Sequence, residues 1–435
     1  MSRKVFISVL GTSNYQECKY IADDYTSKLV RFIQEATLEY LTSGTSWTES
    51  DCAYILLTSK AYECNWVDDG QCDREGKVIH QAGLSTRLHN MNLPFPIKTL
   101  NRLPIGNNEN EIWNVFERIY QVLEEGDELY FDLTHGFRYL PMLVLVLGNY
   151  AQHLKNVKIK SITYGNFEGR NIETNEALIV NLLSLSAVQD WAFAAGQYLH
   201  DGNPTTLCEL CSQELSPILR AAQGKDRAAT ALRRWNGLLN EVSKERQTCR
   251  GESIITSSTL QRMRTETEQI RAEIIPPLVP IFDHIQNSMN GFDTKENLNN
   301  AFFAAEWCCK NGLYQQSITL LQEYLVSVLC EKNGFDRLEE EKRDLINKAL
   351  NIVFMNTEEG GWIVNDSDKV IVRQLLQDQW ISNKCFARLY ADISDTRNDK
   401  NHSGMRSRRQ PLSPIQIERK IRGFLQKCKQ LFLEQ

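Results

Sequence analysis

The sequence lacks the features that most readily assign a function. Its longest apolar run, Leu140 to Leu147, is far shorter than the ~20 residues that a membrane-spanning helix needs. Met1 to Val5 lead directly into a strand pattern, without the apolar stretch of a signal peptide. We therefore expect no membrane association. The chain also has no GxxxxGKS/T phosphate loop, no GxGxxG and no HExxH, so we predict neither a nucleotide-loop enzyme nor a metal site.

The cysteines form no recognisable framework. There are 12 of them, and Cys208 with Cys211 form a CxxC that has no second pair at zinc spacing. Scattered cysteines without a pattern are typical of reduced thiols. The sequence thus predicts a cytoplasmic protein without structural zinc.

Charge is unevenly distributed. The formal net charge is −6, which gives no global sign of nucleic-acid binding, but the stretch from Arg397 to the C-terminus is rich in Lys and Arg. A local basic surface can hold phosphates even on an acidic protein. Arg406, Arg408 and Arg409 are candidate RNA-binding residues in this stretch, and the alternative is an ordinary solvated charge run.

The patterns along the chain predict three regions. Residues 1–185 alternate short apolar runs with helical periodicity, which indicates an α/β domain whose sheet is covered on both faces. Strand patterns nearly vanish afterwards. Residues 186–297 read as a broken helical connector, and residues 298–435 as an all-α domain. The fold class expected is therefore α/β plus all-α.

Small polar residues follow three of the predicted strands. Ligands in such folds bind beyond the carboxyl ends of the strands, where glycine allows close approach and backbone N–H groups suit anions. The alternative for Asp132 and Thr134 is simple capping of a strand-to-helix turn. The candidate ligand-binding residues are Gly11, Thr12, Ser13, Asn14, Thr58, Ser59, Asp132, Thr134, His135, Gly136 and Arg138.

The stretch from Arg397 to His402 combines a permanent cation, an amide and an imidazole. An imidazole moves protons near neutral pH, and a guanidinium stabilises charge on a pentavalent phosphate. On a straight helix Arg397 and His402 lie roughly 140° apart, whereas Asn398 and His402 share a face. Either a helix starts within the motif, or two copies of the chain face each other. The competing interpretation is a solvated helix start capped by Asp395 and Thr396.

Two sets of motifs resemble one family. Arg397, Asn398 and His402 resemble the R-x(4–6)-H signature of HEPN ribonucleases. Asp132-Leu133-Thr134-His135-Gly136 resembles the D-x-T-H-G motif of proteins with a CARF sensor domain. Supporting segments are Val9-Leu10-Gly11-Thr12, Leu57-Thr58-Ser59-Lys60-Ala61 with Asn65-Trp66, and Gly312-Leu313-Tyr314-Gln315-Gln316. Together they resemble the CARF–HEPN ribonucleases of type III CRISPR systems.

The resemblance implies a specific function. The N-terminal domain would be a Rossmann-like CARF sensor that binds a cyclic oligoadenylate activator at the dimer axis, and the C-terminal domain a HEPN bundle. The protein would be a homodimer, or a higher oligomer, that cleaves single-stranded RNA without a metal or other cofactor, as antiviral defence. Arg397, Asn398 and His402 would be catalytic, and the products a 2′,3′-cyclic phosphate and a 5′-hydroxyl.

Two further interpretations stay open from the sequence. The first is a nucleotide-sensing regulator that binds DNA or a partner protein and carries an inactive helical bundle. The second is an additional activity, in which the sensor domain slowly degrades its own ligand with His135 at the reaction centre.

Overall fold

The computed structural model describes residues 2–271, 278–405 and 410–434. The chain divides into two compact units, Met1–Ala187 and Val188–Gln435. The first unit is built on a mixed sheet with helices, and the second consists of helices throughout its described residues. The predicted class, α/β followed by all-α, is confirmed.

The first unit contains ten strands. They are β1 Lys4–Val9, β2 Lys19–Ala22, β3 Tyr25–Thr26, β4 Cys52–Leu56, β5 Gln71–Cys72, β6 Val78–Ile79, β7 Ile97–Leu100, β8 Glu128–Asp132, β9 Lys158–Gly165 and β10 Glu176–Asn181. The main sheet has 8 strands in the order β3-β2-β10-β9-β8-β1-β4-β7, and β5 pairs with β6 separately.

The sheet contains a topological switch point. β1 pairs in parallel with β4 on one side and with β8 on the other, and β4–β7 and β8–β9 are also parallel. The strand order therefore reverses direction between β1 and β8. Beyond the carboxyl ends of two such strands the loops diverge and leave a crevice for ligands. The Gly11–Asn14 and Leu133–Tyr139 loops leave the sheet at this place.

Alternating side chains fill the two faces of the sheet. Val5 and Ile7 of β1 pack with helices on one face of the sheet, whereas Phe6 packs with helices on the other face. The helices of this unit are α1 Ile33–Gly44, α2 Ser59–Ala61, α3 Leu84–Asn90, α4 Glu109–Val122 and α5 Leu140–Lys155, and a π-helical turn covers Tyr62–Trp66.

The second unit has one continuous apolar core. Its members run from Trp191 to Cys428, so helices before and after residue 298 contribute to the same core. The helices are α6 Leu183–Asp201, α7 Thr205–Ala221, α8 Arg227–Gln247, α9 Gly251–Thr256, α10 Ser258–Arg271, α11 Val279–Asn287, α12 Asn299–Lys310, α13 Tyr314–Lys332, α14 Glu340–Met355, α15 Lys369–Leu375, α16 Lys384–Asn401 and α17 Pro414–Phe432.

Two interpretations that the sequence left open at the C-terminal motif, a helix start within it and a cap at Asp395 and Thr396, are wrong. No helix starts within the motif, because α16 runs unbroken from Lys384 to Asn401, and Asp395 and Thr396 lie inside it. The actual cap is Asn383, whose side chain accepts hydrogen bonds from the N–H groups of Cys385 and Phe386 at 2.9 and 3.2 Å. The Thr396 hydroxyl donates to the Asp392 carbonyl at 2.8 Å, as an interior helical threonine does.

Three observations complete the description. No described helix is long and apolar enough to cross a membrane. All twelve cysteines, each within the described residues, are unpaired. Within the same residues, no group of three or more His, Cys, Asp and Glu side chains is arranged to hold a metal ion.

Candidate functional site

A buried carboxylate organises the first candidate site. Asp132 ends β8 and is 1% exposed. One of its oxygens accepts a hydrogen bond from the Ser8 hydroxyl at 2.6 Å, and the other accepts from the backbone N–H and the hydroxyl of Thr134. Burial raises the pKa of Asp132, whereas these hydrogen bonds oppose the rise. Asp132 thus ties β1 to the loop that follows β8.

The same polar cluster reaches neighbouring elements. The Gln34 side chain on α1 donates to the Ser8 hydroxyl and to the Val9 carbonyl, each at 3.0 Å. The Thr134 hydroxyl accepts from the Gly165 N–H at 2.7 Å. The Asp132 carboxylate and the Thr134 hydroxyl therefore hold β1, β9 and the loop after β8 together, and this fixes the shape of the crevice.

A pocket of about 380 Å³ lies at the switch point. Its walls contain four residues that the sequence predicted: Ser13, Asn14, Thr134 and His135. Aromatic side chains form much of the rest. The further lining residues are Tyr15, Gln16, Tyr20, Arg31, Tyr164, Gly165, Phe167 and Glu168.

His135 is stacked on an aromatic ring in this pocket. Its imidazole lies 4.2 Å from the ring of Tyr15, centroid to centroid, with an interplanar angle of 28°. Burial lowers the pKa of His135 to about 4, so the imidazole is neutral at pH 7. Burial also raises the pKa of Tyr15, which therefore keeps its proton. The pair offers a flat, uncharged surface that suits a nucleobase.

A network of side-chain amides holds the Gly11–Asn14 loop. The Asn65 amide donates to the carbonyls of Gly11 and Ser13, both at 2.9 Å. Gln71 donates to the Thr12 carbonyl at 3.2 Å and to the Asn65 side-chain oxygen at 3.0 Å. The exposed side chains of Thr12, Ser13 and Asn14 are thereby presented on a fixed backbone.

The remaining predicted residues of this unit do not line the pocket. Thr58 caps α2 by accepting from the Ala61 N–H at 3.1 Å, and Ser59 is exposed in that helix. Gly136 has a φ of +127°, and a Cβ there would lie 2.5 Å from a methyl of Leu140, so only glycine fits. Arg138 is exposed. Gly11 contributes its carbonyl to the amide network.

Arg31, Tyr15 and Gln71 belong to this site and were not predicted from the sequence, and Asn65 was named only as part of a segment that resembles the family. Arg31 carried a usable signal, because it is a lone cation within the apolar stretch Leu29-Val30-Arg31-Phe32-Ile33. Arg31 is not part of α1, because this helix begins only at Ile33. Gln71 lies in the short β5–β6 hairpin, whose two-residue strands show no alternation of apolar and polar residues in the sequence.

The second candidate site lies at the end of α16. Asn398 and His402 are both exposed, and the His402 N–H donates to the Asn398 carbonyl at 3.0 Å as the helix ends. Arg397 is half-buried and points toward α13, where its guanidinium donates to the Gln322 side chain at 3.4 Å and lies 3.9 Å from a carboxylate oxygen of Glu323. Among the described residues of one copy, no hydrogen bond joins the Arg397 guanidinium to the His402 imidazole.

Arg397 is positioned through a chain of hydrogen bonds. The Gln322 amide donates to the Tyr390 hydroxyl at 3.0 Å, and that hydroxyl donates to Asn347. Burial raises the pKa of Tyr390 to about 12, so it remains a donor. These side chains line a cleft of about 460 Å³ between α13, α14 and α16, whose rim includes Asn398.

The helix extends to the motif because its polar residues have partners. Lys420 of α17 donates to the Thr396 hydroxyl at 3.3 Å, and the buried Asp399 accepts from the Leu412 N–H at 3.3 Å. Arg406, Arg408 and Arg409, predicted to bind RNA, lie outside the described residues.

Comparison with known proteins identifies the first unit. Residues 5–168 match the family described as the CARF domain of the CRISPR system endoribonuclease Csx1. A CRISPR-associated protein of Methanocaldococcus jannaschii is 25% identical over 229 residues, 52% of this chain, and this match spans about a third (33%) of that relative's length.

A solved structure shows a more distant likeness. The structure of Csm6 of Enterococcus italicus bound to cyclic hexa-2′-fluoro-hexa-dAMP aligns with this chain at 11% sequence identity. The alignment covers 100% of this chain and 94% of the Csm6 chain, and the TM-score is 0.44. A TM-score this low carries no argument about fold or function. The sequence match carries the identification, and it agrees with the pocket at the switch point of β1 and β8. The N-terminal unit therefore contains a domain that matches the CARF domain of the Csx1 type over residues 5–168.

Proposed function

We propose that this protein is a metal-independent endoribonuclease that cleaves single-stranded RNA when a cyclic oligoadenylate binds its CARF domain, in type III CRISPR defence. The observation that carries the proposal is the pairing of a CARF-type pocket with a helix end that presents Arg397, Asn398 and His402. The pocket supplies a place for an activator, and the helix end supplies the groups that RNA transesterification requires.

The chemistry follows from those groups. One imidazole accepts the proton of the RNA 2′-hydroxyl as its oxygen attacks the adjacent phosphorus. A protonated imidazole returns a proton to the departing 5′-oxygen. Arg397 stabilises the negative charge of the phosphorane, and Asn398 orients the phosphate or His402. The products are a 2′,3′-cyclic phosphate and a 5′-hydroxyl, and DNA is not cleaved because it has no 2′-hydroxyl.

Two copies of the chain complete the site. The unbroken α16 removes the alternative in which Arg397 enters from a preceding loop. One helix end offers one exposed imidazole, whereas a twofold contact doubles every group around a single phosphate. An active homodimer is therefore part of the proposal.

An apolar stripe on α5 supports self-association. Met142, Val146, Tyr150 and Leu154 follow at intervals of four residues and are 46–70% exposed. Residues four apart share a helix face, and a continuous exposed apolar face is typical of an interaction surface. Because α5 begins directly after the Leu133–Tyr139 loop, pairing through this stripe would bring two sensor pockets toward one symmetry axis.

The neutral His135 favours at most a slow second activity. With a pKa of about 4, it is a weak proton acceptor, and at pH 7 it lacks the imidazolium proton that a general acid would donate. We therefore propose that any cleavage of the bound ring by the sensor domain is much slower than RNA cleavage.

One experiment tests the main proposal. RNA and DNA oligonucleotides are incubated with the full chain in excess EDTA, without activator and with cyclic tetra-adenylate or cyclic hexa-adenylate. The proposal predicts cleavage of RNA alone, only with one of the rings, and products that end in a 2′,3′-cyclic phosphate. If a ring binds and a DNA duplex is retarded while RNA stays intact, the protein is a ligand-sensing regulator instead.

A further inference from the structure

Arg31 is a buried cation that forms no salt bridge with any carboxylate of the described residues. It is 5% exposed and lines the pocket at the switch point. One guanidinium nitrogen lies 3.3 Å from the side-chain oxygen of Asn65 and 3.4 Å from that of Asn14, both neutral amides. Its Nε has no hydrogen-bond partner among the described residues. The charge is therefore only partly satisfied by the protein.

The nearby carboxylates are engaged elsewhere. Glu17 and Glu35 lie in the electrostatic surroundings of Arg31, but each is 3.5 Å from Arg87, with which it pairs. Arg3 in the same unit shows the usual arrangement, because it binds Asp127 and Glu124 at 2.7 and 2.6 Å. A buried guanidinium without such a partner is costly unless an anion joins it. Burial accordingly lowers the pKa of Arg31.

We propose that Arg31 is the phosphate-binding residue of the sensor pocket, donating hydrogen bonds to one phosphodiester group of the bound ring. The inference rests on the proposed activator and adds the residue that holds its charge. A planar guanidinium can donate two parallel hydrogen bonds to a phosphate, which neutral hydroxyls and amides cannot match.

The rest of the pocket fits one nucleotide of such a ring. Among the described lining residues Arg31 is the only lysine or arginine and Glu168 the only carboxylate, while Tyr15, Tyr164 and Phe167 add aromatic surface. Base stacking on aromatic side chains is tolerant of sequence, and a phosphate contact fixes the register. Asn65 touches both Arg31 and the Gly11–Asn14 loop, so an anion at Arg31 is coupled to the loop backbone.

The test uses variants of Arg31 that remove or alter the guanidinium group while the side chain stays of similar size. Arg31→Met removes the guanidinium, and Arg31→Lys keeps a positive charge without the planar guanidinium group. Arg118→Met is the control, because Arg118 donates to backbone carbonyls and does not line the pocket. Calorimetry measures binding of cyclic tetra-adenylate and cyclic hexa-adenylate to each full chain at several salt concentrations. Thermal unfolding is recorded without ligand and with inorganic phosphate.

We expect a weaker affinity for the ring in Arg31→Met by about 10- to 100-fold, an intermediate loss in Arg31→Lys and none in Arg118→Met. The slope of log affinity against log salt should become shallower by about 0.7, the value for one phosphate contact. Without ligand, Arg31→Met should melt no lower than the parent, because it removes an uncompensated charge.

Three results would decide against the inference. They are an unchanged ring affinity in Arg31→Met, an equal loss in Arg118→Met, and an unchanged salt slope. If no ring binds the parent protein, the proposed activator is wrong. In that case, thermal unfolding with inorganic phosphate tests whether Arg31 binds an anion. A phosphate-dependent rise in melting temperature that Arg31→Met abolishes supports the anion site, and equal rises in both proteins refute it.

Discussion

Two residues of the α16 motif occupy different environments. Arg397 is tied to Gln322 and Glu323, whereas His402 is exposed where the helix ends. Removal of the His402 side chain therefore changes the chemistry with little effect on packing.

We predict that His402→Ala reduces RNA cleavage by about 10²–10⁴-fold, the usual contribution of acid–base catalysis. The melting temperature should stay within about 2 °C of the parent value, because substitutions at exposed positions usually change stability by about 0.5 kcal/mol or less. His200→Ala, at another exposed histidine of the same unit, is the matched control and should cleave normally. Full activity in His402→Ala would remove His402 from the mechanism.

His135 makes stability depend on pH. Its pKa of about 4 lies below the ~6.5 of an exposed histidine, so between these values the unfolded chain binds more protons and stability falls as the pH falls. We predict that the melting temperature of the parent, relative to His135→Gln, decreases from pH 7 to pH 4. Each unit of pKa difference corresponds to about 1.4 kcal/mol. A difference between the two proteins that does not change with pH would contradict the neutral, buried imidazole.

At the scale of elements, β1 and β8 are joined by more than their backbone ladder. The Asp132 carboxylate accepts from Ser8 of β1 and from Thr134 beyond β8, away from solvent. Loss of this acceptor leaves donors unpaired in a buried place.

We predict that Asp132→Ala destabilises the N-terminal unit by about 3 kcal/mol, because three donors lose their acceptor and each unpaired buried group costs at least about 1 kcal/mol. Faster amide hydrogen exchange in the peptides that contain β1 and β8 would measure it. Asp132→Asn keeps one carbonyl oxygen and should lose less. Parental exchange rates in Asp132→Ala would show that the carboxylate is not needed to hold the loop.

The strands of the parallel core were predictable, whereas several connections were not. Buried apolar runs such as Val5–Val9 and Glu128–Asp132 carry strong local signals, and the structure has strands there. β2, β3 and the β5–β6 hairpin were not predicted, because strands of two to four residues are too short to show periodicity. The last turns of α16 are polar and carry no apolar periodicity, and contacts with Lys420 and Leu412 stabilise them.

At the scale of the whole molecule, the proposal requires a dimer. We predict that Val146→Glu, in the centre of the α5 stripe, shifts the mass measured by light scattering from a dimer toward the 50.1 kDa of one chain and reduces ring-activated cleavage. Burying a charged group against an apolar partner surface is unfavourable.

Ile172→Glu is the control, because Ile172 is 86% exposed in a loop away from the stripe. It should leave the mass of the parent unchanged. A Val146→Glu protein that keeps the parental mass and activity would exclude α5 as the contact.

The sequence alone determined the class of each half and the chemical character of both motifs, because alternating and helical periodicities and short polar loops are local properties. Only the tertiary structure decided that Ser13, Asn14, Thr134 and His135 share one pocket with Arg31, which lies on a different segment. It also decided that Asp132 is buried and accepts hydrogen bonds from Ser8 and Thr134, and that Arg397 turns toward α13. These outcomes depend on burial and on partners distant in the chain, and no local pattern encodes either.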